Sequence, residues 1–407
     1  MRRRSLLALA GAAAPAAAVL GRRPAARTRW IHTWTAMPQL TEPNNLPPAP
    51  FTADGTVLAG ATLRQTVHVT VGGPRLRVRF SNAYGGAALP LTSATVARPA
   101  GGRAGVPGAT SFCPLTFGGR PSAVVPVGAQ IVSDPVPLPL AAGANLTVSV
   151  YLATGQASLS VTSHPGSRTT SHLVKGDLVS APDLPGATPV DHWYLISGVE
   201  VESAAPALAV VGDSLTDGRG STTNGNDRWP DRLFARHPRI AVLNQAAGGN
   251  RVLDDGLGPN LLARLDRDVL ATSGVDRLLV FEGVNDLGTA AATPQAQQQV
   301  VADLLVAYQQ IALRAHAVDL PVYAATLTPF GGHEGYDDPG GLREQSRRTV
   351  NARLRSLVDA VIDFDAAVRD PAAPTRLNPA YDTGDHLHLN PAGYAALAEA
   401  VPARLLR

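Results

Sequence analysis

The sequence predicts a three-layer α/β domain over residues 206–407, preceded by an antiparallel β-sandwich over residues 30–202. In the first segment, short alternating runs of polar and apolar residues are separated by prolines and glycines, which is typical of sandwiches and jelly rolls. In the second segment, five apolar runs alternate with stretches of helical period, which favours a parallel sheet covered by helices. The pattern changes near residues 203–206 (SAAP), where we expect the domain boundary.

The strands of the first domain are predicted from two-residue alternation. Residues 61–71 and 75–80 alternate on either side of Gly72-Gly73-Pro74. Two such runs around a turn sequence predict a β-hairpin. Residues 146–152 and 193–201 are further strand candidates, and no long helical period appears in this domain. We therefore expect a jelly-roll-like sandwich here.

The second domain contains five strand candidates and five helix candidates. Each strand candidate is a short apolar run, and each helix candidate follows one such run in the chain. The strands are expected at 207–212, 239–244, 276–282, 321–327 and 361–365, and the helices at 228–236, 259–270, 294–317, 341–359 and 391–406. In an open sheet of this kind, ligands bind at the carboxyl ends of the strands.

The N-terminal residues 1–29 have the features of an export signal. Arg2-Arg3-Arg4 precedes a short apolar stretch that is rich in alanine up to Leu20. This stretch is too short and too weakly apolar to span a bilayer. The run Arg3-Arg4-Ser5-Leu6-Leu7 also resembles a twin-arginine signal, and Ala25-Ala26 is a candidate cleavage site. We expect a secreted protein, and no later segment is apolar enough for an integral membrane span.

Composition indicates a globular protein and argues against nucleic acid as a partner. Of the 407 residues, 45% are apolar and 16% are charged. The formal charge is +3, but residues 1–29 contain seven arginines and no acid, and the rest of the chain has 28 basic against 32 acidic residues. A basic binding surface is therefore not indicated. Cys113 is the single cysteine, which excludes an intrachain disulfide and is typical of a buried apolar residue.

A serine, an aspartate and a histidine suggest nucleophilic catalysis. Ser214 follows the first apolar strand candidate, within the segment GDSLTDG at residues 212–218. His388 lies in DHLH at residues 385–388, three residues after Asp385. A serine needs an adjacent base, and an aspartate can hold the imidazole in the required tautomer. The alternative for Ser214 alone is a helix N-cap.

Two further residues are candidate donors to an oxyanion. Asn285 follows the third strand candidate, and Gly249 follows the second; together with the Ser214 N–H they would hold the negative charge of an acyl-transfer intermediate. Taken singly, each also suits a turn. Asp213 and Asp286 are expected to stabilise their loops. After the fourth strand candidate, His333 and Tyr336 are candidate substrate contacts on a glycine-containing loop.

Other chemistries are less well supported. A metal site formed by His386 and His388 with Asp382 or Asp385 is the alternative for this segment, but it lacks a distant partner motif. No G-x-S-x-G elbow, P-loop or dinucleotide fingerprint occurs in the sequence. We therefore expect no metal and no cofactor.

Taken together, these motifs resemble the GDSL, or SGNH, hydrolase family. Four of its blocks match in order: GDSLTDG at 212–218, NQAAGGNR at 244–251, GVND at 283–286 and DHLH at 385–388. Ala246 departs from the glycine that many members have in the second block. The resemblance implies a flavodoxin-like strand order, Ser214 as nucleophile, Asp385 and His388 as its partners, and Gly249 and Asn285 in the oxyanion hole.

The resemblance implies a serine ester hydrolase that needs no cofactor. The two-domain layout is similar to that of xylanase-cluster arylesterases, which suggests short-chain esters on small molecules or polysaccharides as substrates. One alternative is a lipase or phospholipase-like acylhydrolase that acts on longer chains. The other is an inert carbohydrate-binding or surface protein, against which the intact set of Ser214, Asn285, Asp385 and His388 argues.

Overall fold

The computed structural model describes residues 28–407. The export signal predicted for residues 1–29, with its candidate cleavage site at Ala25-Ala26, lies outside the described residues apart from Thr28 and Arg29. Across the described part of the chain, no helix combines the length and apolar character needed to cross a bilayer.

The first domain is built from β-strands. Its strands are β1 (Arg29–Thr35), β2 (Gln39–Leu40), β3 (Thr52–Ala53), β4 (Thr56–Val57), β5 (Ala61–His68), β6 (Leu76–Ser81), β7 (Leu89–Leu91), β8 (Ser93–Pro99), β9 (Ala109–Pro114), β10 (Ala123–Val125), β11 (Gln130–Val132), β12 (Asn145–Leu152), β13 (Thr162–His164), β14 (Ser171–Lys175), β15 (Thr188–Val190), β16 (Trp193–Tyr194) and β17 (Ile196–Ser203). Short 3₁₀ turns lie at Pro43–Asn45 and Ala100–Gly102.

Two main sheets form the first domain. One has the order β1-β17-β6-β11 and the other β15-β14-β5-β12-β8-β9, and every pair in them is antiparallel. Apolar side chains of both sheets, such as Leu63 and Val150 from one and Val78 and Val201 from the other, belong to one buried cluster. Two sheets that share a core in this way confirm the predicted antiparallel sandwich.

The prediction that residues 61–71 and 75–80 form a hairpin is wrong. Strand β5 pairs with β12 and β14, whereas β6 pairs with β17 and β11 in the other sheet. The chain crosses between the sheets at Gly72 and Gly73, and the Gly73 N–H donates to the Leu140 carbonyl at 3.1 Å. Because β5 is buried along nearly its whole length, it needs neighbours on both edges, and distant strands supply them.

The second domain is a parallel sheet with helices on both sides. Its strands are β18 (Ala207–Gly212), β19 (Ala241–Asn244), β20 (Val275–Phe281), β21 (Val322–Ala325) and β22 (Ala360–Ile362). The helices are α1 (Ser214–Asp217), α2 (Trp229–Arg236), α3 (Leu261–Leu265), α4 (Val284–Thr289), α5 (Pro294–His316), α6 (Leu342–Leu354), α7 (Phe364–Val368) and α8 (Pro391–Ala400). A π-helical turn at Asp266–Leu270 extends α3, and a 3₁₀ turn lies at Ala403–Leu406.

The strand order of this sheet is β19-β18-β20-β21-β22, with all neighbours parallel. Numbered from β18, the order is 2-1-3-4-5, which is the flavodoxin-like arrangement. The predicted α/β class is therefore confirmed. The order reverses at β18, so the loops that follow β18, β19 and β20 meet at one edge of the sheet.

The two domains are joined by specific polar contacts. The His32 N–H donates to the Ser273 carbonyl at 3.0 Å, and the Ser273 hydroxyl lies 2.8 Å from His32 Nδ1 and donates to Glu200 Oε1 at 2.7 Å. Burial lowers the pKa of His32 to about 4, so its ring is neutral near pH 7 and Nδ1–H can donate to the Ser273 oxygen. The domains are thus held together by these contacts as well as by the chain segment from Ser203 to Ala207 that connects them.

Candidate active site

Ser214 lies at the carboxyl end of the central strand β18. It is the first residue of α1, and the Asp213 carboxylate caps this helix by accepting from the Leu215 N–H at 2.9 Å. A Cβ at Gly212 would lie 2.7 Å from the Phe281 carbonyl oxygen, so only glycine allows this turn to pack against β20. As the first residue of a helix, Ser214 has a backbone N–H without an intrahelical acceptor.

His388 lies directly opposite the serine. Its Nε2 is 2.8 Å from Ser214 Oγ, and its Nδ1 is 2.6 Å from Asp385 Oδ2. The His388 N–H donates to the other carboxylate oxygen, Oδ1, at 2.8 Å. The ring is nearly buried, while Asp385 is partly exposed. The structure therefore brings Ser214 together with Asp385 and His388, which follow it by more than 170 residues and were predicted as its partners.

Opposing effects act on the pKa values of this pair. Partial burial alone would raise the pKa of Asp385, but the N–H groups of His388 and Leu387 and the imidazole hold it well below its usual range. Burial lowers the pKa of His388, and the neighbouring Asp385 carboxylate opposes this effect. At neutral pH the aspartate is thus ionised and the imidazole neutral, with Nδ1 protonated and Nε2 ready to accept.

His386 occupies a different environment from His388. Its Nδ1 is 2.7 Å from Asp382 Oδ2, and its side chain is 48% exposed, compared with 7% for His388. The two imidazoles are thus held by different carboxylates. Over residues 28–407, no group of three or more histidine, cysteine, aspartate or glutamate side chains is arranged to hold a metal ion.

Gly249 and Asn285 border the same cleft as Ser214. Gly249 has a φ of +72°, which favours glycine, and a Cβ there would lie 2.4 Å from the Leu257 side chain. Asn285 Nδ2 donates to the Asn250 carbonyl at 2.8 Å, and the Tyr336 hydroxyl donates to Asn285 Oδ1 at 2.7 Å. These contacts fix the amide plane and leave the second N–H of Nδ2 available to a ligand.

The loops around these donors are supported by Asp286. Its two carboxylate oxygens accept from the N–H groups of Val252 and Leu253 at 3.0 and 2.9 Å. Burial raises the pKa of Asp286 to about 6, although the two N–H groups favour the ionised form. Asp213 is fully buried at the α1 cap, and burial raises its pKa well above the usual range. Neither aspartate contacts Ser214 Oγ or His388 within hydrogen-bonding distance.

One contact from the first domain to the loops of the site was not predicted from the sequence. His164 Nε2 lies 2.9 Å from Asp217 Oδ1, and His164 Nδ1 lies 3.0 Å from the Met37 carbonyl oxygen. The other oxygen of Asp217 accepts from the Gly248 N–H at 2.9 Å. A chain of hydrogen bonds thus runs from the β-sandwich to the glycine next to Gly249. Nothing in the sequence around His164 indicates this partner, which lies 53 residues away.

Both domains line the cleft, which has a volume of about 970 Å³. The second domain contributes Ser214, His388 and the candidate oxyanion donors. The first domain contributes a wall that is mostly polar, formed by Gln39, Glu42, Asn45, Pro165, Gly166, Arg168 and His192. Tyr336 and His333, the two candidate substrate contacts, also border the cleft, and the Tyr336 hydroxyl is hydrogen-bonded to Asn285.

Comparison with known proteins finds similarity over about half of the chain. Residues 210–396 match the model of the GDSL-like lipase/acylhydrolase family. No curated protein matches the chain. A putative lipolytic protein of the G-D-S-L family from Desulfitobacterium hafniense is 20% identical, with a TM-score of 0.36 over 48% of this chain and 96% of that one. An acetylxylan esterase from Geobacillus stearothermophilus is 22% identical, with a TM-score of 0.36 over 48% of this chain and 91% of that one.

Proposed function

We propose that this chain, in which residues 210–396 form a carboxylic ester hydrolase domain of the GDSL-like lipase/acylhydrolase family, cleaves short-chain esters with Ser214 as nucleophile. The observation that supports this proposal best is the 2.8 Å contact between Ser214 Oγ and His388 Nε2, with Asp385 at 2.6 Å from the other ring nitrogen. A weak nucleophile, its base and an orienting carboxylate at these distances are the parts that serine acyl transfer requires.

The first half-reaction forms an acyl-enzyme. Ser214 Oγ attacks the ester carbonyl carbon while His388 Nε2 takes the hydroxyl proton. The resulting imidazolium is stabilised by the Asp385 carboxylate, which stays ionised because its pKa lies well below the usual range. The tetrahedral intermediate then collapses, the bond to the alcohol oxygen breaks, and His388 gives its proton to that oxygen as the alcohol leaves.

The negative charge of the intermediate needs donors that are already in place. In our proposal these are the Ser214 and Gly249 N–H groups and Asn285 Nδ2, all of which border the cleft beside Ser214. The hydroxyl of Tyr336 supports this role by holding the Asn285 carbonyl oxygen, which aims the amide nitrogen. In the second half-reaction, water takes the place of the alcohol, His388 takes its proton, and the acid is released from Ser214.

The lining of the cleft supports small acyl groups and a polar alcohol. Gly248 and Gly249 have no side chains to extend the cleft beside the candidate oxyanion donors, and the Leu257 side chain packs against Gly249. The residues that the first domain contributes to the cleft present amide, carboxylate and guanidinium groups. Hydroxyl-rich alcohols such as polysaccharides, as well as small polar ones, suit such a wall because it can hydrogen-bond to them.

The test is covalent labelling combined with three variants. A fluorophosphonate should label the purified protein, and Ser214→Ala should remove the label. Ser214→Ala and His388→Ala should each reduce ester turnover by several orders of magnitude, and the double variant should be no worse than either single one, because the residues act as a unit.

The neighbouring His386→Ala is the matched control. It removes an imidazole from the same loop and should retain most of the activity, since His386 contacts Asp382 and not Ser214. An inactive His386→Ala beside an active His388→Ala would contradict the proposal. Loss of activity on dialysis against EDTA, with recovery on adding zinc, would instead favour a metal site.

We also propose that the protein is exported, on the basis of the Arg3-Arg4-Ser5-Leu6-Leu7 segment and the apolar stretch that follows. The test is a fusion of residues 1–29 to a reporter that fluoresces only after folding in the cytoplasm. Such a reporter distinguishes the twin-arginine route, which exports folded proteins, from a route that exports unfolded chains. Transport of the folded reporter should require both Arg3 and Arg4, and retention of the reporter in the cytoplasm would contradict export.

A further inference from the structure

Two arginines border the catalytic cleft, one from each domain. They are Arg168, on the loop after β13, and Arg219, just after α1. Among residues 28–407, neither guanidinium donates a hydrogen bond to the protein, and the Nε atom of Arg168 is buried without a partner. Unpartnered guanidinium groups at a concave site are available to an anion.

The backbone around Arg168 is held in an uncommon conformation. Its φ is +49°, in the left-handed region that a side chain of this size rarely adopts. The Arg168 carbonyl accepts from the Asn224 N–H of the other domain at 2.9 Å, and the Ser167 hydroxyl donates to the Thr169 carbonyl at 2.7 Å. This strained turn fixes Arg168 at the cleft, and such strain concentrates at functional sites.

Arg219 lies on the His388 side of the cleft, and Arg168 borders the same cleft from the first domain. The Tyr394 hydroxyl donates to the Arg219 carbonyl at 2.6 Å, and Gly220 packs against the Leu389 carbonyl next to His388. After burial and the opposing effect of Asp385, the Arg219 charge further lowers the pKa of His388. In the proposed mechanism His388 protonates the departing alkoxide, so the alcohol part of the ester leaves past this wall.

The carboxylates of the cleft already have other partners. Asp385 holds His388, and Asp217 accepts from the Gly248 N–H and lies against His164. Glu42 accepts from the side-chain amides of Gln39 and Asn45 at 2.6 and 3.0 Å. None of them lies within ion-pair distance of Arg168 or Arg219 in the described part of the chain, so the two positive charges are left without a counter-ion from the protein.

We propose that Arg168 and Arg219 form a subsite for a carboxylate on the alcohol part of the ester. The substrate class is then an ester of an acidic alcohol, such as an acylated sugar acid, with its acyl group at Ser214 and its carboxylate between the two guanidinium groups. The planar fork of arginine matches a carboxylate with two parallel N–H bonds. This inference rests on the proposed ester hydrolase function and extends it to the alcohol part.

Three acetate esters with the same ring test the inference. They are 4-acetoxybenzoate, which is anionic, 4-acetoxybenzamide, which is neutral, and (4-acetoxyphenyl)trimethylammonium, which is cationic. For the wild type and each variant, kcat/KM for the anionic ester is divided by kcat/KM for the neutral ester. Comparing this ratio between the proteins cancels the intrinsic reactivity of the esters. Arg168→Gln and Arg219→Gln should each lower this ratio by about tenfold, the effect of losing one charge-assisted hydrogen bond.

Arg239→Gln is the matched control, because Arg239 is exposed on the same domain as Arg219 and lies outside the cleft. Its ratio should equal that of the wild type. The wild type should also discriminate against the cationic ester, and 0.5 M salt should reduce this preference because it screens exposed charges. Since each ratio comes from one protein sample, a partly unfolded variant does not alter it.

An unchanged ratio in both arginine variants would overturn the inference while leaving the hydrolase proposal intact, because the neutral ester would still be cleaved. If none of the three esters is cleaved by the wild type, the proposed function fails, and this inference fails with it.

Discussion

The chemistry of His388 depends on which of its ring nitrogens has the proton. An ionised carboxylate can only accept hydrogen bonds, so Asp385 at 2.6 Å requires a proton on Nδ1 and leaves Nε2 free to accept from Ser214. The spacing DHLH at 385–388 was enough to suggest this pair from the sequence. The role of Tyr336 was not visible in the same way, because its contact with Asn285 joins residues that are 51 positions apart.

At the residue scale, we predict separable effects at Asn285 and Tyr336. Asn285→Ala removes a donor to the oxyanion and should lower kcat by ~10²–10³ with little change in KM, since the donor acts on charge that develops in the transition state. Tyr336→Phe keeps the donor but loosens its orientation, so its loss of kcat should be smaller. Steady-state kinetics on one short ester measure both. A large rise in KM at constant kcat would instead make Asn285 a substrate-binding residue.

A second prediction at this scale concerns pH. His388 must be neutral to act as a base, and burial lowers its pKa despite the opposing Asp385 carboxylate. The basic form is therefore present above this lowered pKa and is lost as pH falls through it. The acid limb of kcat/KM, which reports the free enzyme, should have its midpoint below the ordinary histidine value of about 6.5. An acid limb centred well above that value would contradict the assignment.

At the scale of elements, the sequence was most informative where a buried strand ends in a polar residue. The carboxyl ends of β18, β19 and β20 precede Ser214, Gly249 and Asn285, and parallel pairing alone places those ends together. The crossover between β5 and β6 was not predictable in this way, because alternation identifies a strand but not its sheet. No local pattern predicted that His164, on β13 of the sandwich, contacts Asp217 on α1, the helix that begins at Ser214.

That contact of β13 gives a prediction for His164. Because His164 holds Asp217, and Asp217 holds the Gly248 N–H, His164→Ala should displace the neighbouring Gly249 donor. We expect kcat to fall by roughly ten- to a hundredfold with KM nearly constant, because small displacements of catalytic groups slow the chemical step. Asp217→Asn should show a similar loss, and the double variant should lose less than the product of the two single effects.

His68→Ala is the matched control for this prediction, since His68 lies at the end of β5 in the same domain and contacts Asn145. Its kcat should stay within about twofold of the wild type, because His68 is only partly buried and lies outside the cleft. Full additivity of His164→Ala and Asp217→Asn would show that the two side chains act separately, and the proposed route to Gly248 would then be wrong.

At the scale of the whole molecule, the cleft is a product of two domains. The second domain supplies the proposed reacting groups, and the first supplies residues, most of them polar, that line the same cleft. Contacts such as the His32–Ser273–Glu200 cluster hold the two domains against each other. The sequence predicted each fold class, because strand and helix periods are local. It did not predict the shared cleft, because the packing of one domain on the other leaves no periodic signal.

The shape of this shared cleft leads to a prediction for the acyl chain. Each CH₂ that is buried contributes ~0.8 kcal/mol, but only where an apolar wall receives it. The apolar side chains that line the cleft are scattered, namely Pro165, Leu257, Tyr336 and Leu387, and most of the residues that the first domain contributes are polar. A chain of more than a few carbons would therefore lie against polar groups or water and gain little. Acetyl to butyryl esters should be the best substrates in a p-nitrophenyl series from two to sixteen carbons, measured as kcat/KM, and a maximum at eight carbons or beyond would favour a lipase instead.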